Sequence, residues 1–256
     1  IGRHRPAGHP PHDAHAHGSS AWPSHPSIPR ADAREVTPWR TIGRALAPNG
    51  AATGDTVVVA AGTYPEAVQT SRGGVTVRAS GAATIAPPSG GTGIAVRHAL
   101  TRVEGFTVQG GLHGIRAEGA AVSTIRGCTL RGQSGNGIFV VQSDHATIDD
   151  NRVADAAGQG IVVKRAGFAY VRNNLVTRTG DWGIQIDNGD TPLPPVTGGH
   201  VLAFNTVYGC GRGVAAAGGI RLQNATGEIR DNVAAANVGS AIKTDTAPTV
   251  VHHNAV

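Results

Sequence analysis

Two lysines, Lys164 and Lys243, stand in a chain whose other twenty strongly basic residues are all arginine. Arginine holds its proton at any ordinary pH, whereas lysine can be tuned to release one, so these two positions mark where a removable proton would be useful. Near each lysine the sequence offers carboxylates and a further cation: Asp187 for Lys164, and Arg221 and Asp245 for Lys243. Asp187, Asp245 and Asp190 carry the hard oxygen ligands that Ca²⁺ takes, which makes Ca²⁺ a candidate cofactor, the nearby Arg and Lys being the alternative source of positive charge. Gln185, Gln223 and Arg116 add hydrogen-bonding groups for a polar ligand. Trp182 could stack on a sugar ring or cover the adjacent core.

These residues belong together only if the chain brings them to one surface, and a repeat does so. The pattern Gly-Ile-x-Val recurs as Gly114-Ile115, Gly137-Ile138, Gly160-Ile161, Gly183-Ile184, Gly219-Ile220 and Ala241-Ile242. In step with it runs apolar-x-x-Asn, at Ile148…Asn151, Val171…Asn174, Leu202…Asn205, Ile229…Asn232 and Val251…Asn254. Short alternating strands repeating at this period imply an all-β solenoid, a single-stranded right-handed parallel β-helix of about eight coils of roughly 22–23 residues. Five asparagines in one column imply a stacked Asn ladder at a tight turn, a structural role. Along each Gly-Ile-x-Val-x strand the two x positions point outward. They stack coil over coil as Arg116/Glu118, Phe139/Val141, Val162/Lys164, Gln185/Asp187, Arg221/Gln223 and Lys243/Asp245. One interval is longer than the rest, with a Pro- and Gly-rich excursion from Asn188 to His200, and long solenoid loops map to one face. Asp149-Asp150 lies beside the ladder residue Asn151 and reads as turn chemistry.

Composition agrees with a solenoid: 37 glycines and only 4% aromatic residues are unlike an ordinary globular core. The formal charge is +5, which favours anionic partners, or else reflects a basic tail. Residues 1–35 are His- and Pro-rich and read as a flexible leader, whose His12, His15 and His17 would bind metal only adventitiously. Residues 36–256 form the β-helix domain. Thr37-Pro38 reads as the start of a short capping helix with Trp39, Ile42, Ala45 and Leu46 covering the first coil. Cys128 and Cys210 fall three coils apart, roughly 14 Å along the axis, which implies two free thiols. No apolar run is long enough to span a membrane. Too few aromatics accompany the arginines for nucleic-acid binding. The chain begins at Ile1, contains no Met and stops inside a repeat, so it reads as a trimmed product with open ends able to stack end to end.

Pro38-Trp39-Arg40-Thr41-Ile42, then Gly54-Asp55-Thr56-Val57-Val58-Val59 and Gly62-Thr63-Tyr64-x-Glu66, resembles the opening of the pectate-lyase-like β-helix superfamily. It looks closest to the chondroitinase-B and alginate-lyase type and to secreted β-helix repeat proteins. The resemblance implies a secreted or cell-surface protein, a uronate-containing acidic polysaccharide as partner, and β-elimination as the reaction. In that reaction a cation neutralises the sugar carboxylate, a base takes the C5 proton and an acid protonates the departing O4. Lys243 is then the first choice of base and Lys164 the second, with Arg221 on the carboxylate or sharing the acid–base work. Lys164 to Asn174 resembles the lysine-bearing strand of chondroitinase-B-like lyases, but Phe139 and Val141 stand where those enzymes place acidic ligands. Ala241-Ile242-Lys243-Thr244 is similar to the Arg-x-Lys strand of polygalacturonases with Ala in place of Arg. The alternative function is a non-catalytic surface, binding or filament-forming β-helix.

Overall fold

The computed structural model describes residues 39–189, 199–245 and 249–256. Within them the chain winds as a solenoid of parallel strands. Each full coil contributes one strand to an eight-stranded parallel sheet and two strands, on either side of a tight turn, to a fifteen-stranded sheet that bends around the molecule. The eight-stranded sheet stacks Val68–Gln69, Ile94–Val96, Ile115–Glu118, Ile138–Val141, Ile161–Lys164, Ile184–Asp187, Ile220–Gln223 and Ile242–Thr244. Its register is the one the Gly-Ile repeat demands: Ile115, Ile138, Ile161, Ile184, Ile220 and Ile242 lie one over the next. The inward residues of these coils are almost wholly excluded from water, with Ile138, Val140, Ile161, Val163, Ile184 and Ile186 all at 0% exposure.

The glycine before each isoleucine is demanded by close approach. At Gly160 an added Cβ would lie 2.3 Å from Val176 Cγ1 and 2.6 Å from the Gly183 carbonyl oxygen. The turn between the two halves of the larger sheet closes on the Asn ladder. Each rung donates from Nδ2 to the next Oδ1, at 3.0 Å for Asn151 to Asn174 and 2.9 Å for Asn205 to Asn232. The same amides also bond main-chain carbonyls, as Asn174 does at Ile148 and Arg172, so the buried polar groups are satisfied. The residue before each rung is left-handed; Asp150 has φ 56°, consistent with its reading as a turn residue.

The capping helix is Ile42–Ala45, and its N-cap is Thr41, whose side chain accepts from Arg44 N. This corrects the expected N-cap at Thr37; Thr37 and Pro38, like the leader, lie outside the described residues. The helix start is held instead by Glu66, whose two carboxylate oxygens accept from Ile42 N and Gly43 N at 2.8 and 2.9 Å. A carboxylate at exposed helix N–H groups complements them in hydrogen bonding and charge. Cys128 and Cys210 are both buried and unpaired. Among the described residues no helix is long and apolar enough to cross a membrane. In the last coils Val238, Val250, Val251 and Val256 are exposed, and Ala241, Ile242, Val251 and Asn254 help line an open cavity of about 450 Å³.

Candidate functional site

The outer side of the eight-stranded sheet forms one wall carrying two columns of side chains. In the first, Val162, Gln185, Arg221 and Lys243 follow one another in register. In the second, Lys164, Asp187 and Gln223 do so, and Asp245 follows one rung on, next to Thr244. Rungs of a parallel sheet are spaced about 4.8 Å, so Lys164, Asp187, Arg221 and Lys243 share one face within a few rungs.

Two ionic groupings stand on this wall. Arg221 donates from Nε and Nη2 to Asp245 Oδ2 at 2.9 and 2.7 Å, and Lys243 Nζ lies 3.7 Å from Asp245 Oδ1. Lys164 Nζ lies 3.4 Å from Asp187 Oδ2. Asp187 also accepts from Gly189 N at 2.9 Å. Between the groupings runs a chain of amides: Gln159 Nε2 donates to Asp181 Oδ2 and to Gln185 Oε1, and Gln185 Nε2 donates to Gln223 Oε1. Neither lysine is withdrawn from water, since their side chains are 40% and 45% exposed.

Several expected members of the site are placed differently from the alternation rule. Trp182 is only 4% exposed, with the Arg221 guanidinium 5.7 Å above its ring, so it covers the core and supports Arg221 and offers no open face to a sugar. Gln185 is oriented outward by register but is 5% exposed, because Gln159 and Gln223 close over it. Val162 is fully buried between Phe139 and Gln185 in the same column. Arg116 is four rungs from Arg221; it is turned to Glu118 at 3.1 Å and sits 5.3 Å over the Phe139 ring. The structure therefore gathers Gln185, Arg221, Gln223, Lys243 and Asp245, sets Lys164 and Asp187 beside them, and leaves Arg116 apart.

The two expected calcium ligands among the described residues, Asp187 and Asp245, do not converge. Asp187 and Asp245 are two rungs apart, about 10 Å along the sheet, whereas ligands of one Ca²⁺ each lie about 2.3–2.6 Å from it. Each of the two carboxylates already faces a cation. Asp190 lies outside the described residues. Among the described residues no group of three His, Cys, Asp or Glu side chains is arranged to hold a metal ion.

Sequence reasoning missed Gln159 and Asp181. Both lie in the turn before a strand, outside the Gly-Ile-x-Val-x alternation, and only stacking of successive turns carries them to the amide chain. Nearby, His113 Nδ1 accepts from Asn136 N, and burial, then the Arg116 charge, lower its pKa from the ordinary value.

Parallel strands coiled in this way define a right-handed parallel β-helix with a polar wall along one sheet. The chain belongs to the right handed beta helix region family, whose model matches residues 74–256. Among solved structures it is similar to an alginate lyase from Paenibacillus sp. str. FPU-7, at 16% identity over 84% of this chain and 96% of that one, with a TM-score of 0.51. It is also similar to the pectate lyase Pel9A, at 12% identity over 82% of this chain and 71% of that one, with a TM-score of 0.52. At such identities the likeness is one of fold. No curated protein matches the chain.

Proposed function

We propose that the wall of the eight-stranded sheet binds an acidic, uronate-containing polysaccharide and cleaves it by β-elimination. The observation that carries the reading is the grouping of Arg221, Asp245 and Lys243 beside the Gln185–Gln223 amide pair. Rungs at about 4.8 Å match the rise of a pyranose chain, so successive sugars can meet successive rungs. Arg221 neutralises the sugar carboxylate, and Asp245 orients Arg221 and Lys243 together. Lys243 takes the C5 proton; the C5–H electrons form the C4–C5 double bond, the C4–O4 bond breaks, and the departing O4 takes a proton from solvent water on the exposed wall. Lys164, paired with Asp187, is the second choice of base. In this reading Arg221 supplies the neutralising charge and no step runs through calcium. Two solved structures of the same fold are named as an alginate lyase and a pectate lyase, which supports the choice of substrate class. An extracellular or cell-surface setting goes with the substrate and is checked by fractionating the cells that make the protein.

The test is the ultraviolet absorbance of unsaturated product ends, after incubation with alginate, pectate and glycosaminoglycans in turn. Wild-type protein should generate it on one of these polymers, and Lys243→Gln should reduce the rate at least 100-fold. Activity that survives loss of both lysines would overturn the assignment.

A second reading, a non-catalytic binding or stacking β-helix, is favoured by the solvent exposure of both lysines and by the exposed valines of the last coils. Absence of unsaturated product on every polymer, together with concentration-dependent end-to-end polymers in sedimentation, would support it.

A further inference from the structure

The positive charge of the chain does not come from its leader. Residues 1–38 hold four of the 22 lysines and arginines and three of the 17 acidic residues, so nearly all the surplus lies on residues 39–256. Both lysines are on the wall described above, and the densest grouping of arginines is elsewhere. It lies around the ladder turn, where the two halves of the fifteen-stranded sheet meet.

Three successive coils build it. Arg126, Asp149 and Arg172 lie in register, and the two guanidinium groups approach Asp149 at 3.5 and 3.4 Å. Asn173 Nδ2 donates to the same carboxylate at 2.9 Å. Five to six residues further along each coil the arrangement recurs. Arg131 and Arg178 approach Asp155 from either side at 3.3 and 2.7 Å. Arg152 stands between the two triads, exposed, and among the described residues it has no ion-pair partner. The guanidinium-bearing side chains of Arg126, Arg131 and Arg172 are 60%, 68% and 53% exposed.

An ion-pair ladder built for stability alone would need one arginine per carboxylate, and exposed pairs contribute little stability in any case. Here four arginines face two carboxylates, Asp149 and Asp155, and Arg152 stands between them, unpaired among the described residues. The aspartates hold the guanidinium groups in place while leaving positive charge over and most of their donors turned to water. Arginine is the side chain whose planar fork matches carboxylate and sulfate oxygens. Arg126 and Arg172 are two rungs apart, about 10 Å along the axis, the length of a disaccharide. A single-stranded nucleic acid would want stacking faces between the cations. Tyr170 is the single aromatic residue at the outward strand positions of these three coils.

We infer that the corner carrying Arg126, Arg131, Arg152, Arg172 and Arg178 is a second binding surface, which holds a linear acidic polysaccharide along the solenoid axis. This surface is separate from the eight-stranded wall and stands whether or not that wall cleaves its ligand.

Immobilised dextran sulfate is the probe, because it carries no uronate and cannot undergo the elimination proposed above. The full chain should bind it, and an Arg126→Gln/Arg152→Gln/Arg172→Gln variant should bind at least tenfold more weakly. Its salt dependence should fall by about one ion per arginine removed. Asp155→Asn, which releases two arginines, should bind several-fold more tightly, a gain that misfolding cannot imitate. Arg221→Gln/Lys243→Gln should lose any lyase activity and weaken dextran sulfate binding clearly less than the triple variant does. Retention of binding by the triple variant with loss in the wall variant would overturn the inference. So would an unchanged affinity of Asp155→Asn, or equally tight binding of single-stranded DNA at matched charge.

Discussion

Asn174 donates from Nδ2 to Asn205 Oδ1 at 3.0 Å across 31 residues of sequence, the same distance that joins Asn151 to Asn174 across 23. The ladder is indifferent to the excursion between its rungs, because the excursion falls between the strands Ile184–Asp187 and His200–Ala203, and the chain is back in register at His200 before the ladder turn. Removing a rung should therefore cost the whole turn. Asn174→Ala strands the donors and acceptors of its neighbours in the core, and should lower stability by about 2–4 kcal/mol in urea unfolding. A change of a few tenths would show that the ladder amides contribute little.

The glycine column makes a steric prediction. Gly160→Ala places a methyl group within 2.3 Å of Val176 Cγ1, and both the strand and the neighbouring carbonyl must shift. A loss of about 2 kcal/mol is expected, read as a lowered Tm. At Gly132, φ is 70° and no atom lies within 4 Å of an added Cβ, so Ala there meets only backbone strain, about 1 kcal/mol.

His200 makes stability depend on pH. Its ring is fully buried, Nδ1 accepts from Ala169 N, and Nε2 has no partner. Burial lowers its pKa from 6.5 to about 4, outweighing the opposing Asp144 charge. Between those values the unfolded chain binds the proton and the folded chain does not. The contribution of neutral His200 is therefore complete above pH 6.5 and is lost as pH falls towards 4, by on the order of 3 kcal/mol. Unfolding curves from pH 7.5 to 4 should show this slope, and His200→Gln should flatten it.

The thiols should be silent. Burial pushes the Cys128 thiol up to about 12, and neither cysteine reaches the surface. A chromogenic disulfide reagent should label neither cysteine in the native protein and both in denaturant. Rapid labelling of native protein would contradict the burial.

On the eight-stranded wall, Trp182→Leu keeps the core covered but removes the ring beneath Arg221. Substrate affinity should fall about three- to tenfold, since a cation over an aromatic face contributes on the order of 1 kcal/mol, and the Tm should fall as well, because the smaller side chain leaves a cavity under the wall. Chelation by EDTA should leave the rate unchanged if Arg221 supplies the neutralising charge. A rate that collapses on chelation and returns with Ca²⁺ would overturn that assignment.

The strand register, the ladder and the inward isoleucines were legible in the sequence, because a parallel solenoid converts a linear period directly into stacking. Gly160, Ile161 and Asn174 announce their places by recurrence, and so do the columns of Lys164 and Arg221. Burial on the outer wall was not legible in the same way. Alternation says that Gln185 and Val162 point outward, but whether water reaches them depends on neighbours one coil away. Arg116 was assigned by position along the strand and is turned aside by Glu118 and Phe139, while of the two readings of Trp182 its burial favours the one that covers the core. The arginine corner was equally hidden: Arg126, Asp149 and Arg172 are unremarkable in sequence, 23 residues apart. The periodicity of the chain by itself determined which residues share a rung, since hydrogen bonding between strands leaves one register open to a repeat. Which of them are covered, which are paired and which keep charge for a partner was decided only in three dimensions, because desolvation and ion pairing depend on side-chain reach across rungs.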